Sequence, residues 1–322
     1  MSNQKKFIVS HAPFWHIGHK IPERNGHIML ATLPALLAGL YYYGIPALGV
    51  ICLSVSSAMI WELAVNRVSK IPVTIGDGSS ALIGLLFAML LPAAVPWWLV
   101  IVGTFVAIII GKQIFGGIGA NPFNPTLLAF AMIALSWKDL VDFNEALVNY
   151  DLNFIMFYPL TALKFFGVTS VSSFDGLSLL LGRQSGGFGS TFGLGLILGG
   201  GYLMAKGVVR WEIAISFLAG IFVTALIFFV ANPTKFAGPI FHLFSGYTLI
   251  GAFFLAPEDS SSPVNFYPML IYGAGGGIFT VLIRNIGVHV DGVVFAILLM
   301  NIANPLVDKI RPKAFGKVVK NA

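Results

Sequence analysis

The chain carries very little charge. Only 10% of its 322 residues are Asp, Glu, Lys or Arg, and 57% are hydrophobic. An ordinary soluble domain carries roughly 25% charged residues. There is too little polar side chain here to cover a water-facing surface, so a soluble fold is excluded. Cysteine is nearly absent. The single Cys52 rules out an intrachain disulfide and any iron–sulfur cluster held by four cysteines of this chain alone, and it reads as a small buried apolar residue. The six histidines form no HExxH or cysteine-linked spacing, so no metal site is expected. Four of them, His11, His16, His19 and His27, crowd the basic N-terminal arm, and only His242 falls within an apolar run. No P-loop is present, and no GxGxxG opens a βαβ unit. The N-terminus lacks a short apolar core followed by a small-residue cleavage site, so no signal peptide is expected.

What the chain has in abundance is apolar length. A span needs about 20 predominantly apolar residues. Ten runs approach this, near 28–44, 46–66, 77–95, 97–116, 122–137, 192–207, 211–231, 239–256, 268–284 and 290–307. With the N-terminus in the cytoplasm, all of the 19 Lys and Arg except Lys138, Lys164, Arg183, Lys235 and Arg284 fall on the cytoplasmic side. The net charge of +6 is then explained by topology, and nucleic-acid binding loses its main support. The expected fold is an all-α integral membrane protein of about ten transmembrane helices, with both termini cytoplasmic. Its expected parts are an arm (1–26), a first membrane half (27–137), an extracytoplasmic loop region (138–191), a second half (192–308) and a basic tail (309–322).

Two echoes suggest inverted five-helix repeats, which commonly hold a site or pathway between halves. GDGSSALIGLLFAMLLP (76–92) resembles FSGYTLIGAFFLAPEDSSSP (244–263), and NPFNP (121–125) resembles NIANP (301–305). Shared membrane composition also generates such echoes. GGIGANPFNP cannot continue a regular helix. It reads either as a broken helix facing an ion path or cofactor, or as a tight cytoplasmic turn. The ion-path candidates are Asp77, Asn121, Pro122, Asn124, Pro125, Asn301, Asn304 and Pro305. Asp77 and Asp291 each open a run and suit helix capping. Glu62 sits near the cytoplasmic end of the second run, and an interfacial place beside Arg67 is preferred over a site within the membrane. PEDSSSP (257–263) reads as a solvated turn, and GGFGSTFGLG (186–195) as a close-packing or turn element.

Four runs together resemble one family: GGIGANPFNPTLLAFAM, LGRQSGGFGSTFGLGLILGGGYLMAKGVVRWEI, GAFFLAPEDSSSPV and MLIYGAGGGIFTVLIRNIGVHVDGVVFAILLMNIANPLVD. The family is that of the RnfD subunit of the Rnf electron-transport complex, related to the NqrB subunit of sodium-pumping NADH:quinone oxidoreductase. The resemblance implies a ten-helix subunit of a ferredoxin:NAD oxidoreductase that couples electron transfer to ion translocation, in a bacterial or archaeal inner membrane. It implies as partners a soluble flavin and iron–sulfur module, two small membrane subunits and a membrane-anchored flavoprotein. It also implies FMN, joined through a phosphodiester to a threonine in a Ser-Gly-Ala-Thr-like motif followed by Pro-Leu. Counting back from LLLG (179–182) sets Asp175 in the acceptor position. A phosphodiester needs a hydroxyl, and an aspartate would give a labile acyl phosphate. Covalent FMN is therefore not expected here. Ser172, Ser173 and Thr169 are the nearest hydroxyl substitutes, and a non-covalent flavin stays open. The alternatives are a channel or secondary transporter on the same scaffold, and a flavin-less scaffold subunit.

Overall fold

The computed structural model describes residues 20–147, 150, 152 and 154–310. The arm as far as residue 19, with His11, His16 and His19, and the tail from residue 311 lie outside the described residues. Among the described residues all regular structure is helical, with no strand.

Helix α1 (Ile21–Val68) has 48 residues. Straight, it would run about 72 Å, more than twice the ~30 Å hydrocarbon core. It breaks at Gly44, whose φ of 63° and ψ of −143° suit glycine alone, and Pro46 follows at once. The expected runs 28–44 and 46–66 are the two limbs of this hinge. Helices α3 (Trp97–Phe105), α10 (Trp211–Ala231) and α13 (Phe266–Asn285) follow their expected runs. Helix α3 continues through a π turn at Val106–Ile110. Four helical segments are long and apolar enough to cross a membrane: α1, Trp97–Phe115, α10 and α13. Their outer faces are apolar. Helix α10 leaves Ile215, Val223, Ile227 and Val230 exposed, a stripe that water would not support and lipid does. Cys52, expected to be buried, lies on such an outward face of α1.

The remaining apolar helices are short. Helices α2 (Ser79–Leu90) and α4 (Pro125–Ser136) have 12 residues, α9 (Gly193–Ala205) has 13, and α14 (Val293–Val307) has 15. At 1.5 Å per residue the first three reach about 18–20 Å, well short of a bilayer core. The run 239–256 is itself broken into α11 (Pro239–Phe244), α12 (Thr248–Ile250) and a π turn at Gly251–Leu255. Between α4 and α9 lie the short helices α5 (Lys138–Val141), α6 (Phe143–Ala146), α7 (Pro159–Phe166) and α8 (Gly176–Leu180).

One long non-helical stretch is covered by protein, as backbone inside a membrane protein would have to be. Residues 184–191, placed at the end of the extracytoplasmic loop by sequence, are buried without a break. This stretch threads past the end of α2: Phe188 N donates to Leu91 O (3.3 Å) and Gly189 N to Met89 O (3.2 Å). A Cβ on Gly187 would meet Leu90 O at 2.7 Å, so the chain passes there only as glycine. The centre formed around α2 includes Phe87, Met89, Leu90, Leu91 and Leu99, all fully buried. Helices α10 and α13 approach closely through Gly220, Gly273 and Gly277, where side chains would collide with the opposing backbone.

Candidate functional site

The broken segments place polar groups at two ends of the bundle. At the first end, α1 carries Glu62 and the π turn after α3 delivers Lys112. The two are 50 residues apart in sequence and bond at 2.8 Å. Both side chains are shut away, 0% exposed for Glu62 and 3% for Lys112. Lys112 Nζ also donates to Ser79 Oγ (2.6 Å), the first residue of α2. Thr74 Oγ1 donates to Glu62 Oε1 (2.6 Å), and Asn66 Nδ2 donates to Thr74 (3.0 Å). Every one of these bonds falls on a single oxygen of Glu62 or on its neighbours. Glu62 Oε2 and Asn66 Oδ1 are buried with no donor, and they sit one turn apart on the same face of α1. The buried Ser80 hydroxyl is the remaining donor beside Glu62. The expected neighbour Arg67 is exposed, and Glu62 pairs with Lys112 instead. The sequence signal was a lone carboxylate in one apolar run and a lone lysine closing another, which distance in sequence did not connect.

Asp77 does what capping predicts. Its Oδ1 accepts from Ser79 N (2.7 Å) and Ser79 Oγ (2.6 Å), at the start of α2. A cavity of about 410 Å³ opens beside this cluster. Ser79, Lys112, Asn121 and Asn124 supply its polar wall, and Ile28, Leu82, Phe253 and Phe254 its apolar wall.

The NPFNP and NIANP motifs meet at this end. Asn124 caps α4, accepting from Thr126 N (3.0 Å) and Leu127 N (3.2 Å), and Pro125 fills the first turn, where no N–H is needed. Asn124 Nδ2 reaches across to Leu255 O (2.9 Å). Asn301, with its amide turned to satisfy both groups, accepts from Asn124 N (3.0 Å) and donates to the Tyr272 hydroxyl (2.5 Å). Asn304 Nδ2 donates to Ser261 O (2.9 Å). Asn121 Nδ2 donates to Phe123 O (2.9 Å) and Glu258 Oε1 (3.2 Å). Pro122 and Pro305 are exposed. One motif opens its helix and the other closes its helix, so the resemblance between them marks a tertiary contact and not equivalent places in two repeats. PEDSSSP, read as a solvated turn, is largely buried: Glu258 Oε2 accepts from Ser261 N (2.9 Å) and Oγ (2.5 Å). Arg24 of α1 pairs with Asp259 at the cavity mouth.

At the second end stands another ion pair. Arg284, closing α13, meets Asp291 at 2.9 Å, with side chains 1% and 8% exposed. Arg284 Nη2 donates to Thr248 Oγ1 (2.9 Å), the first residue of α12. Asp291 also caps α14 through Val293 N (3.1 Å) and accepts from Tyr247 N (2.8 Å) and the Tyr158 hydroxyl (3.2 Å). At each of the two ends, then, a cation closing a long helical segment bonds the first hydroxyl of a short helix and is neutralised by a carboxylate. A second cavity, about 320 Å³, lies against Asp291 and is walled by Phe130, Phe143, Tyr158, Tyr247 and Phe295.

The segment 171–182 joins neither cavity. Asp175, Ser172, Ser173 and Thr169 are all exposed. Asp175 begins α8 without a capping bond from its side chain. The Thr169 and Ser172 hydroxyls are turned back onto Phe166 O (3.3 Å) and Thr169 O (2.7 Å). The one Pro-Leu pair of the region 138–191 is Pro159-Leu160, and the residue before it is Tyr158.

The sequence profile of the NQR2, RnfD, RnfE family matches residues 8–316. The chain is 34% identical to the D subunit of the Na(+)-translocating ferredoxin:NAD(+) oxidoreductase complex of Acetobacterium woodii, over 99% of this chain and 98% of that one. It is 33% identical to the D subunit of the proton-translocating ferredoxin:NAD(+) oxidoreductase complex of Clostridium ljungdahlii, over 96% of each. It is 32% identical to the D subunit of the ion-translocating oxidoreductase complex of Cronobacter sakazakii, over 96% of this chain and 99% of that one.

Proposed function

The chain belongs to the NQR2, RnfD, RnfE family, and from that premise we propose that it is the membrane subunit of an Rnf-type ferredoxin:NAD oxidoreductase that couples electron transfer to ion translocation. Its place is the cytoplasmic membrane of a bacterium or archaeon. Its partners are the soluble flavin and iron–sulfur module, two small membrane subunits and a membrane-anchored flavoprotein. The ten apolar segments, with α1 counted as two, cross in two inverted repeats with both termini cytoplasmic, and the first end described above faces the cytoplasm. The matched ion pairs, Lys112 at Ser79 and Arg284 at Thr248, support the inversion, because equivalent devices sit at opposite ends.

One observation carries the coupling role: the Glu62–Lys112 pair, a carboxylate and an ammonium both shut away from the surface. Buried polar groups are almost always bonded. Glu62 Oε2 and Asn66 Oδ1 can only accept; the Ser80 hydroxyl serves Glu62, and a coupling ion would take its place beside the carboxylate. Intramembrane carboxylates of this kind mark ion pathways. Lys112 holds the site closed as a tethered cation. Movement at the π turn just before Lys112 would free the carboxylate for the coupling ion. Electron passage through the partners biases that two-state element.

Covalent FMN does not fit the residues present. Asp175 offers no hydroxyl, and Thr169, Ser172 and Ser173 are exposed and line neither of the two cavities described above. Tyr158, ahead of the Pro-Leu pair, has a hydroxyl but is buried and bonded to Asp291. A flavin held without a covalent bond suits the first cavity. Its volume falls within the range of small-molecule sites, Phe253 and Phe254 offer ring faces, and Asn121, Arg24 and Lys112 offer donors at the edge. When bound it would supply one-electron transfer.

The experiment is purification of the complex through a tag on this chain, followed by reconstitution in vesicles. Reduced ferredoxin and NAD+ should drive ion uptake, and removal of this subunit should abolish it. Solute uptake by the isolated chain would favour the transporter reading instead.

A further inference from the structure

Lys112 belongs to two sites at once. It lines the first cavity, and its ammonium pairs with Glu62, which lies behind the cavity wall. An ammonium has three N–H donors. Two are spent on Glu62 Oε1 (2.8 Å) and Ser79 Oγ (2.6 Å). The third has no acceptor among the described residues, and the cavity is the open space beside it. An acceptor held in the cavity therefore completes the shell of Lys112. Ser79 shares this double position: it lines the cavity, accepts from Lys112 and donates to Asp77 Oδ1 (2.6 Å). Thr74 closes the other side of the carboxylate. Its hydroxyl donates to Glu62 Oε1 (2.6 Å), and Thr74 itself is exposed. Glu62 thus stands between Lys112 toward the cavity and Thr74 toward the surface of this end.

The charges around this wall have assigned partners. Lys112 meets Glu62 directly and Asp77 through Ser79. Arg24 meets Asp259 at the mouth, and Glu258 accepts from Asn121 and Ser261. With a neutral occupant in the cavity, Lys112 balances Glu62 and no second cation is held. A negative charge on that occupant, against the third N–H of Lys112, places one ammonium between two anions. At ordinary hydrogen-bond lengths those anions stand about 6 Å apart. With an effective dielectric constant of about 20, their repulsion raises the affinity of Glu62 for a cation roughly a hundredfold. We propose that Lys112 is a charge relay, through which negative charge entering the cavity is matched by one cation taken up at Glu62, past Thr74. The balance is one electron in from the partner subunits and one H+ or Na+ in from the first end; loss of the electron releases the cation. The relay rests on the flavin reading of the cavity given above and supplies the trigger for the Glu62 site. It needs no contact between the coupling ion and the flavin.

The test is binding, not turnover. The full chain is purified, freed of flavin and titrated with FMN, either oxidised or reduced with dithionite, under nitrogen at mildly alkaline pH. The ring of oxidised FMN is then neutral and that of reduced FMN anionic. Affinities are read by ultrafiltration with and without Na+, and proton uptake on binding is read with a pH dye. Reduced FMN should bind more tightly than oxidised FMN. Its binding alone should be tightened by Na+, by up to roughly a hundredfold, or should take up a proton, because linkage between the two sites is reciprocal. Glu62→Gln should keep the preference for reduced FMN and lose the cation dependence. Glu62→Gln/Lys112→Met strands no charge and should lose both. A double variant that still prefers reduced FMN, or an unaltered chain whose binding of reduced FMN ignores Na+ and takes up no proton, overturns the relay alone. A chain that binds neither form overturns the flavin reading of the cavity, and the relay with it.

Discussion

Glu62→Gln is the most informative substitution for the packing argument. It keeps the size of the side chain and removes its charge. Lys112, 3% exposed, is then left with Ser79 Oγ and no counterion. Removing one partner of a buried ion pair costs about 3–5 kcal/mol, because the other charge stays behind without compensation. Lys112→Met alone should cost a similar amount by stranding the carboxylate. The double variant Glu62→Gln/Lys112→Met strands neither charge, so it should recover most of the loss; replacement of a whole buried pair is often neutral. The assay is a four-member thermal unfolding series on the purified complex, read as a double-mutant cycle. Two costs that simply add, or a Glu62→Gln cost below about 1 kcal/mol as for an exposed pair, would refute the reasoning.

Other outcomes follow from the same geometry. Tyr272→Phe removes the hydroxyl that Asn301 bonds at 2.5 Å and should destabilise by about 1–3 kcal/mol in the same assay, since Asn301 stays buried. Gly277→Ala should destabilise by about 1–3 kcal/mol through overpacking, because its Cβ would collide with Phe217 O, whereas Gly201→Ala meets open space and should be tolerated. Arg24→Ala should cost less than about 1 kcal/mol, because its Asp259 partner is largely exposed. Denaturing electrophoresis under ultraviolet light should show no fluorescence on this band, and mass spectrometry should find Asp175 and Tyr158 unmodified; a flavin mass on either would reverse the judgement on covalent attachment.

Much of the architecture is legible from composition. The hinge at Gly44 and Pro46 shows as a break between two apolar runs, and α10 fills its expected limits of 211–231. The runs of α4 and α9 are short already in the sequence, but the shortness of α2 is not legible: residues 91–95, which follow it, are apolar and mostly buried, so hydropathy counts them as helix. The burial of 184–191, placed by sequence in an extracytoplasmic loop, is not legible either. Within the site, the capping roles of Asp77 and Asp291 follow from position alone. The Asn motifs stand out in the sequence by their prolines, yet Pro122 and Pro305 are exposed and it is the asparagines that tie the network. The Glu62–Lys112 pair escaped because a neighbouring arginine offered Glu62 a plainer explanation. Only tertiary structure shows that Arg67 is turned outward and Lys112 inward.

The double variant Glu62→Gln/Lys112→Met provides the most direct test of coupling, because it alters the site while retaining the fold. In vesicles carrying the whole complex, ion uptake and NADH formation are measured together with reduced ferredoxin as donor. The account predicts that ions moved per NADH formed falls toward zero while NADH formation persists. Uptake per NADH equal to that of the unaltered complex would contradict it.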